Sequence, residues 1–467
     1  MIRNKNKAFS KELFLAVVAL AWPTMLQELL QTAVQYIDTA MVGALGTAST
    51  AAVGATTTIN WLVNSTISAV GVGLLALISQ ASGAGNKSLA KRASAQAVLL
   101  ALICGGMFTV LCLSLSSFVP TWMQVDEGIR DMAAKYFFVL YSPMLFRAAI
   151  IIFSMVLRSV GDSRTPMLVG LMVNIINVIL NVFLIYPTRE ISLFSLRFTF
   201  YGAGWGVVGA GAASAIAFAV GGIVITIALW RHPDVSPKGE KFRFDKEILR
   251  PCFRVALPNA LQRFGTCMGY VAFAAMVNSL GETSTAAHTI ANTVESAFYI
   301  PGYGMQAAAA TLAGNALGAK DNDRIRALSK MLIIIEVVLM VVSGGLLFIF
   351  APQMMTLFSK DSMVISLGAV VLRMVAVTEP FYGVSIIIEG MLQGMGKTLM
   401  PFVANISGMW GIRILGTFIC TRFLGLGLVS AWGCMILHNL LLFATFAIYF
   451  ASGHYNPLRN KNAEKKG

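Results

Sequence analysis

The sequence predicts an all-α polytopic membrane protein: twelve transmembrane helices in two six-helix lobes, related by a pseudo-two-fold axis along the membrane normal. Three observations predict it. Of 467 residues, 57% are hydrophobic and only 12% charged, with a mean hydropathy of +0.74, whereas a soluble domain carries about 25% charged residues. Apolar runs long enough to cross a bilayer recur from end to end. The chain also repeats itself. YIDTAMVGALGTASTAA (36–52) returns as VAFAAMVNSLGETSTAA (271–287), an offset of 235 residues that also carries Pro23 to Pro258, Gly83-Ala84 to Gly318-Ala319, Gly161 to Gly396 and Pro166 to Pro401.

The apolar runs and polar breaks place the first six spans at about 13–37, 51–79, 93–119, 134–157, 166–187 and 202–230. The second six lie at about 252–279, 286–313, 328–350, 364–392, 400–421 and 426–451. RHPDVSPKGEKFRFDKEILRP (231–251) is the one long polar stretch inside the chain and reads as a linker. The expected organisation is therefore a lobe over 1–230, a cytoplasmic linker over 231–251, and a second lobe with a basic tail over 252–467. With six spans per half, both halves run the same way through the membrane. Such parallel repeats build two bundles that rock around a central cavity. Pro23 and Pro258 sit inside apolar runs, where a proline frees a carbonyl and permits a bend.

The net charge of +14 is placed so as to orient the protein. Lys and Arg concentrate in 1–12, 82–92, 157–166, 231–254, 320–330 and 459–467, with Lys397 between the tenth and eleventh spans. The alternate connections hold only Arg130, Arg189, Arg197, Lys360 and Arg422. This loop-by-loop alternation follows the positive-inside rule and puts both termini in the cytoplasm. The basic loops meet anionic lipid rather than nucleic acid. The six cysteines (104, 112, 252, 267, 420 and 434) have no metal or disulfide spacing and read as small buried hydrophobes. No cleavage pattern comes after the first apolar run, so no signal peptide is expected.

In this order and spacing, WPTMLQELLQTAVQYIDTAMVGALG, LRSVGDSRTP, NIINVILNVFLIY, GWGVVGAGAAS and LQGMGKTLMP make the chain resemble the multidrug and toxic compound extrusion (MATE) family over about residues 10–455. The resemblance implies a V-shaped pair of six-helix lobes. It also implies a secondary antiporter that expels organic, often cationic, compounds in exchange for H⁺ or Na⁺. Similar members use a first-span Asp with an Asn-x-x-x-Asn/Asp pair.

Asp38 is the first candidate for coupling. Counted from Leu13 it lies ~39 Å along the first span, near its outer end. Asn177 and Asn181 share one face of the fifth span, ~17 and ~23 Å along, so the three can meet in the first lobe. Burial favours the protonated form of a carboxylate, and amide oxygens beside it suit Na⁺ in another state. The competing account puts Asp38 in bulk water at a helix end. Asn174, one turn earlier, is a weaker member. Ser214 falls where similar proteins place a hydroxyl, although back-bonding to its own helix accounts for it more simply.

Glu28, Tyr36, Met172, Glu295, Tyr299, Met305, Glu379 and Tyr382 are candidates for the substrate cavity. Intramembrane acids usually carry a function, and Met and aromatic walls suit varied ligands and organic cations. Core packing is the simpler account of any single Met or Tyr. Glu336 and Glu389 rank lower. The NorM-like branch of the family carries a seventh-span acid, and no Asp or Glu occurs from Pro258 to Leu280. That favours a first-lobe mechanism, as in the DinF-like branch.

The alternative function is a lipid or lipid-linked oligosaccharide flippase of the related superfamily. It would want basic residues clustered in the cavity, and Arg147, Arg263, Arg373 and Arg413 are spread over four spans. An enzyme would need a catalytic constellation, and none is visible. No nucleotide-binding loop is present, so no cofactor is expected beyond the coupling ion. The expected setting is the inner membrane, as a monomer.

Overall fold

The computed structural model describes residues 11–193 and 196–458. The basic residues of 1–10 and of the 459–467 tail lie outside that range. The first half contains α1 (Lys11–Gly43), α2 (Thr47–Gly83), α3 (Lys87–Leu115), the short α4 (Val119–Trp122), α5 (Glu127–Tyr141), α6 (Met144–Ser159), α7 (Arg164–Leu184), strands β1 (Pro187–Leu193) and β2 (Leu196–Ala203), and α8 (Gly206–Arg231). The second half contains α9 (Lys246–Asn278), α10 (Glu282–Gly318), α11 (Asn322–Thr356), α12 (Ser362–Ala376), α13 (Glu379–Gly394), α14 (Leu399–Gly408), α15 (Leu415–Phe418) and α16 (Leu428–Ala451). Two π-helical turns, Met409–Ile414 and Ile419–Phe423, join α14 and α15 into one broken helix.

Among the described residues, eight of these helices are long and apolar enough to span a membrane. Two further spans are bent pairs, α5 with α6 (50°) and α12 with α13 (54°). The fourth and tenth spans, expected as single rods over 134–157 and 364–392, are thus broken at equivalent places. Pro143 and Pro380 stand at the breaks, where a proline removes a backbone donor. The helices of the seventh and eighth spans, α9 and α10, are long enough but more polar, and the functional site accounts for that. The all-α expectation meets one exception: β1 and β2 form an antiparallel hairpin between the fifth and sixth spans.

The repeat is visible in the turns. Gly46 (φ 113°) and Gly281 (φ 102°) make the same left-handed turn before α2 and α10. Gly161 (φ 92°) and Gly396 (φ 76°) do so before the fifth and eleventh spans. L side chains are strained in that region. Helix starts on the basic side are capped by side-chain oxygens: Asn86 accepts from Leu89 N, Asp245 from Glu247 N and Asp321 from Arg324 N.

The halves are crossed at their roots. α1 packs along α10, and α2 along α9. Val17, Leu20 and Ala21 of α1 belong to the core of the second half, with Met305 and Ala309. Ile248 and Cys252 of α9 belong to the core of the first. Val17 and Cys252, one repeat apart, are 0% and 1% exposed. Each core therefore takes in the root of one helix from the other half of the chain. Pro23 separates the rooted end of α1 from the stretch that packs on α7, and Thr24 Oγ1 donates to Gly304 O across the seam at 2.7 Å.

On the side of the basic loops, α2 and α10 touch backbone to backbone. A Cβ on Gly83 would lie 1.9 Å from Asn315 O, and one on Gly318 would lie 1.9 Å from Gln80 O. The linker is tied down nearby by a Lys87–Asp234 ion pair (2.8 Å) and by Arg92 with Asp245. Of the cysteines, Cys420 and Cys434 are not isolated: their sulfurs lie 3.9 Å apart.

Gly83→Ala is expected to destabilise the protein by about 1–3 kcal/mol through overpacking. Gly106→Ala, where a Cβ meets nothing within 4 Å, should be neutral; thermal unfolding of both variants checks this. The hydrogen bonds from Lys87 and Arg92 hold the carboxyls of Asp234 and Asp245 below their usual value. A depressed folded-state pKa contributes stability that is present above the unfolded value, about 4, and lost as pH falls through the folded one. The protection factors of the amides across 232–245, with the intrinsic pH dependence of exchange divided out, should therefore fall as the pH drops below about 4. Asp245→Asn should lower them already near neutral pH.

Candidate functional site

Two polar sites emerge, one inside the first lobe and one between the lobes. In the first lobe, Asp38 is held by α1 opposite α7. Asn181 Nδ2 donates to Asp38 Oδ1 at 2.6 Å, and the Asn177 side chain comes within 2.8 Å of the same oxygen. With the Asn177 amide turned so that its nitrogen faces the carboxylate, its oxygen accepts from Ser214 Oγ of α8 at 2.9 Å. With the amide reversed, Asn177 donates to Ser214 and presents oxygen to oxygen at Asp38. That second arrangement requires a proton or a cation between the two oxygens.

Asn177 and Asn181 are 5% and 1% exposed, and Asp38 is half-buried. The two asparagines are four residues apart on one helix, so one face of α7 delivers both. Asn181 Oδ1 has no hydrogen-bond partner. Asn181 turns its Nδ2 to Asp38 and Ser214 lies beyond Asn177, so the oxygens that face each other are those of the Asp38 carboxylate and, with its amide reversed, Asn177. Hard cations such as Na⁺ take carboxylate and amide oxygens, so Asp38 and Asn177 would hold a sodium ion, with Asn181 joining through its unpartnered Oδ1 only once its own amide turns over. Ser214 Oγ pairs with the Asn177 side chain of α7 at 2.9 Å. Asn174 is half-buried on α7 and outside this hydrogen-bonded group.

Between the lobes lies a cavity of about 650 Å³. Glu28 (α1), Trp61 (α2) and Arg158 (α6) line it from the first half, and Arg263 (α9), Tyr299 (α10) and Arg413 from the second. It runs into a pocket of about 120 Å³ that reaches Tyr382 and Glu389. The polar residues of α9 and α10 that face this space explain why those helices are less apolar than the rest. Of the sequence candidates, Glu28, Tyr299 and Tyr382 line one of the two cavities. Tyr299 stands edge-on to Tyr303 and Tyr382, and the Tyr303 and Tyr382 hydroxyls are 3.0 Å apart.

Tyr36, Met172, Glu295, Met305 and Glu379 line neither cavity. The Tyr36 hydroxyl donates to Thr293 O at 3.3 Å. Met172 packs against the first-lobe core. Met305 is 1% exposed among apolar neighbours, because this turn of α10 faces the rooted end of α1. Glu295 and Glu379 are buried inside the second lobe, where Glu336 joins them. The carboxylate oxygens of Glu336 and Glu379 have no hydrogen-bond partner.

Sequence reasoning misses two residues of this site. Glu389, a low-ranking candidate, accepts from Gln262 (2.9 Å), Gln393 (3.1 Å) and Asn405 (3.3 Å). The Glu-x-x-x-Gln spacing of Glu389 and Gln393 on one helix face is the available signal. Arg158 reads as one more basic loop residue, yet it lines the cavity and donates to Gln27 Oε1 at 2.7 Å.

The MatE family model matches residues 23–183 and 258–419. The chain belongs to the MatE family. The matched segments fall in the two halves of the repeat. The chain is 26% identical to "Probable multidrug resistance protein NorM" of Thermotoga maritima over 443 residues, 94% of this chain and 92% of that one. It is 25% identical to "Probable multidrug resistance protein YoeA" of Bacillus subtilis over 419 residues, 88% and 87% of the two. The crystal structure of MATE in complex with MaD3S superposes with a TM-score of 0.86 at 23% identity, covering 97% of this chain and 99% of that chain. The MatE fold is thus a membrane-embedded, two-lobe, twelve-helix transporter fold.

Replacing Glu389 by Leu would strand the Gln262 and Gln393 amides, while Asn405 keeps its bond to Pro401 O (2.9 Å), at about 1–3 kcal/mol for each donor left buried. Glu389→Leu is expected to lower the unfolding midpoint markedly, and Glu389→Gln much less. Thermal denaturation in detergent checks both.

Proposed function

We propose that this MatE transporter is a secondary antiporter that exports organic compounds in exchange for H⁺ or Na⁺, with Asp38 as the coupling acid. The observation that carries the reading is the Asp38–Asn177–Asn181 group, where one carboxylate oxygen meets both asparagine side chains within hydrogen-bonding distance. An ionised Asp38 favours the Asn177 amide with nitrogen inward. A protonated Asp38 donates to the Asn177 oxygen and turns the amide over, so that its nitrogen faces Ser214. Charge on Asp38 is thereby relayed to α8 by a side-chain rotation. Asn181 Nδ2 holds the carboxylate in place through both states. Sodium as the exchanged ion would meet the same oxygens.

Pro23 allows the Asp38 end of α1 to move against its end rooted in the second half. That joins the state of the acid to the seam between lobes, where alternating access requires the motion. The relatives' names, multidrug resistance proteins, support drug-like cargo. The lack of an acid in α9 from Pro258 onward supports a first-lobe mechanism of the DinF-like kind. The reading includes an inner-membrane location with both termini cytoplasmic, a monomer, and no cofactor. The relatives' names do not favour the flippase alternative, and binding of anionic probes and lipid separates the two.

Asp38→Asn is expected to lower gradient-driven efflux at least tenfold in sealed proteoliposomes under an imposed pH or Na⁺ gradient, while leaving the unfolding midpoint close to wild type. Normal efflux by that variant would reject Asp38 as the coupling residue.

A further inference from the structure

The central cavity holds more fixed positive charge than a cation carrier needs. Arg158, Arg263 and Arg413 all line it, and none has an ion-pair partner among the described residues. Arg158 and Arg413 are only 5% and 4% exposed, and the Nε of each has no hydrogen-bond partner. Arg263 donates its Nε to Asn259 (2.9 Å) and leaves its other donors unassigned. The acids of the two joined cavities are Glu28 and Glu389. Glu389 already accepts from three amides, and Glu28, though near Arg158 and Arg263, makes no ion pair among the described residues. Glu295, behind the wall, lies within electrostatic reach of Arg413. Buried, unpaired guanidinium groups are costly, and their planar fork matches carboxylate, sulfonate and phosphate.

Arg413 has a further meaning within the repeat. The buried face of α7 runs Val173, Asn177, Asn181, and that of the eleventh span runs Met409, Arg413, Thr417. Gly408, at the exact offset from Val173, is buried too, whereas Arg413 and Thr417 sit one residue past the offset, after the π-helical turn has begun at Met409. Arg413 therefore stands in the place of Asn177, and Phe273 in the place of Asp38. The guanidinium lies over the Phe273 and Tyr270 rings at 4.4 and 4.8 Å. The first lobe keeps an acid for its ion, while the second presents a cation to the cavity.

We propose that the cavity binds an organic anion or zwitterion: an apolar, preferably aromatic body bearing a carboxylate, sulfonate or phosphate, held by Arg158, Arg263 and Arg413. Trp61, Tyr270 and Tyr299 line the space for the apolar body, and Glu28 receives an ammonium group where the ligand has one. The inference rests on the cavity being the substrate path of the proposed antiporter, and it replaces the expectation of a cationic cargo.

The test is equilibrium binding, without gradients, to the full chain in phosphatidylcholine nanodiscs. The probes are 2-naphthylacetate, its methyl ester, and 2-(2-naphthyl)ethylamine. The acid is expected to bind at least tenfold tighter than either of the others, which is ~1.4 kcal/mol. Arg263→Gln and Arg413→Gln should each erase most of that preference. Equal or tighter binding of the ester or amine to the wild type overturns the proposal, as does the absence of saturable acid binding up to millimolar concentration. Neither outcome depends on the variants folding. Discs doped with phosphatidylglycerol distinguish the sources: Arg413-dependent displacement of the acid marks a lipid headgroup as the natural anion, and no displacement marks a soluble one. Asp38→Asn should keep the charge preference here. A lost preference alongside intact gradient-driven efflux would sink this inference alone, and a kept preference with normal efflux by Asp38→Asn would sink only the coupling assignment.

Discussion

The rest of the structure depends on a contact without side chains. Where α2 and α10 end on the basic side, Gly83 lies on Asn315 and Gly318 on Gln80, backbone against backbone. Within a membrane, helices associate by close packing rather than by expelling water, and small residues permit it. This contact brings the halves together at one end and leaves the space between them for the cavity. Because the contact is made by equivalent residues of both halves, it lies on the pseudo-two-fold axis. Motion that preserves it must be a rotation about that point, and Pro23 and Pro258 lie in the helices such a rotation would bend.

Duplication supplied the frame, and local divergence supplied the chemistry. Two helices related by the repeat, α7 and the α14–α15 rod, face two others, α1 and α9. In the first half the facing pair is a carboxylate and amides. In the second it is an aromatic ring and a guanidinium. One extra residue in a π-helical turn rotates the downstream turns by about 100° relative to the other copy, which is how an arginine comes to occupy an asparagine's place. His288 and Trp432 close the Phe273 side edge-to-face, so no carboxylate is needed there for packing.

Much of this is legible in the sequence. The fold class, the twelve helical units and the repeat come from apolar runs and a constant offset. The meeting of Asp38 with Asn177 and Asn181 comes from helix periodicity and depth. The illegible part depends on three-dimensional adjacency. Met305 and Glu295 look like wall residues because depth along a helix says nothing about which side faces the cavity. Arg263 and Arg413 look scattered because they lie 150 residues apart in sequence, and only the packing of the halves brings them together with Arg158. The π-helical turns have no composition signature, so the register of Arg413 cannot be read. The hairpin of β1 and β2 falls in a stretch that reads only as a connection.

The crossed roots bear on how the chain is made. Val17 and Leu20 leave the ribosome long before the socket that receives them, around Met305 and Ile388, is synthesised. The leading helix must wait in lipid, half packed, until the second half arrives. Such long sequence separation slows assembly. Neither half can complete its own interior in isolation, and a chain cut at the linker could mature only if both fragments were present together.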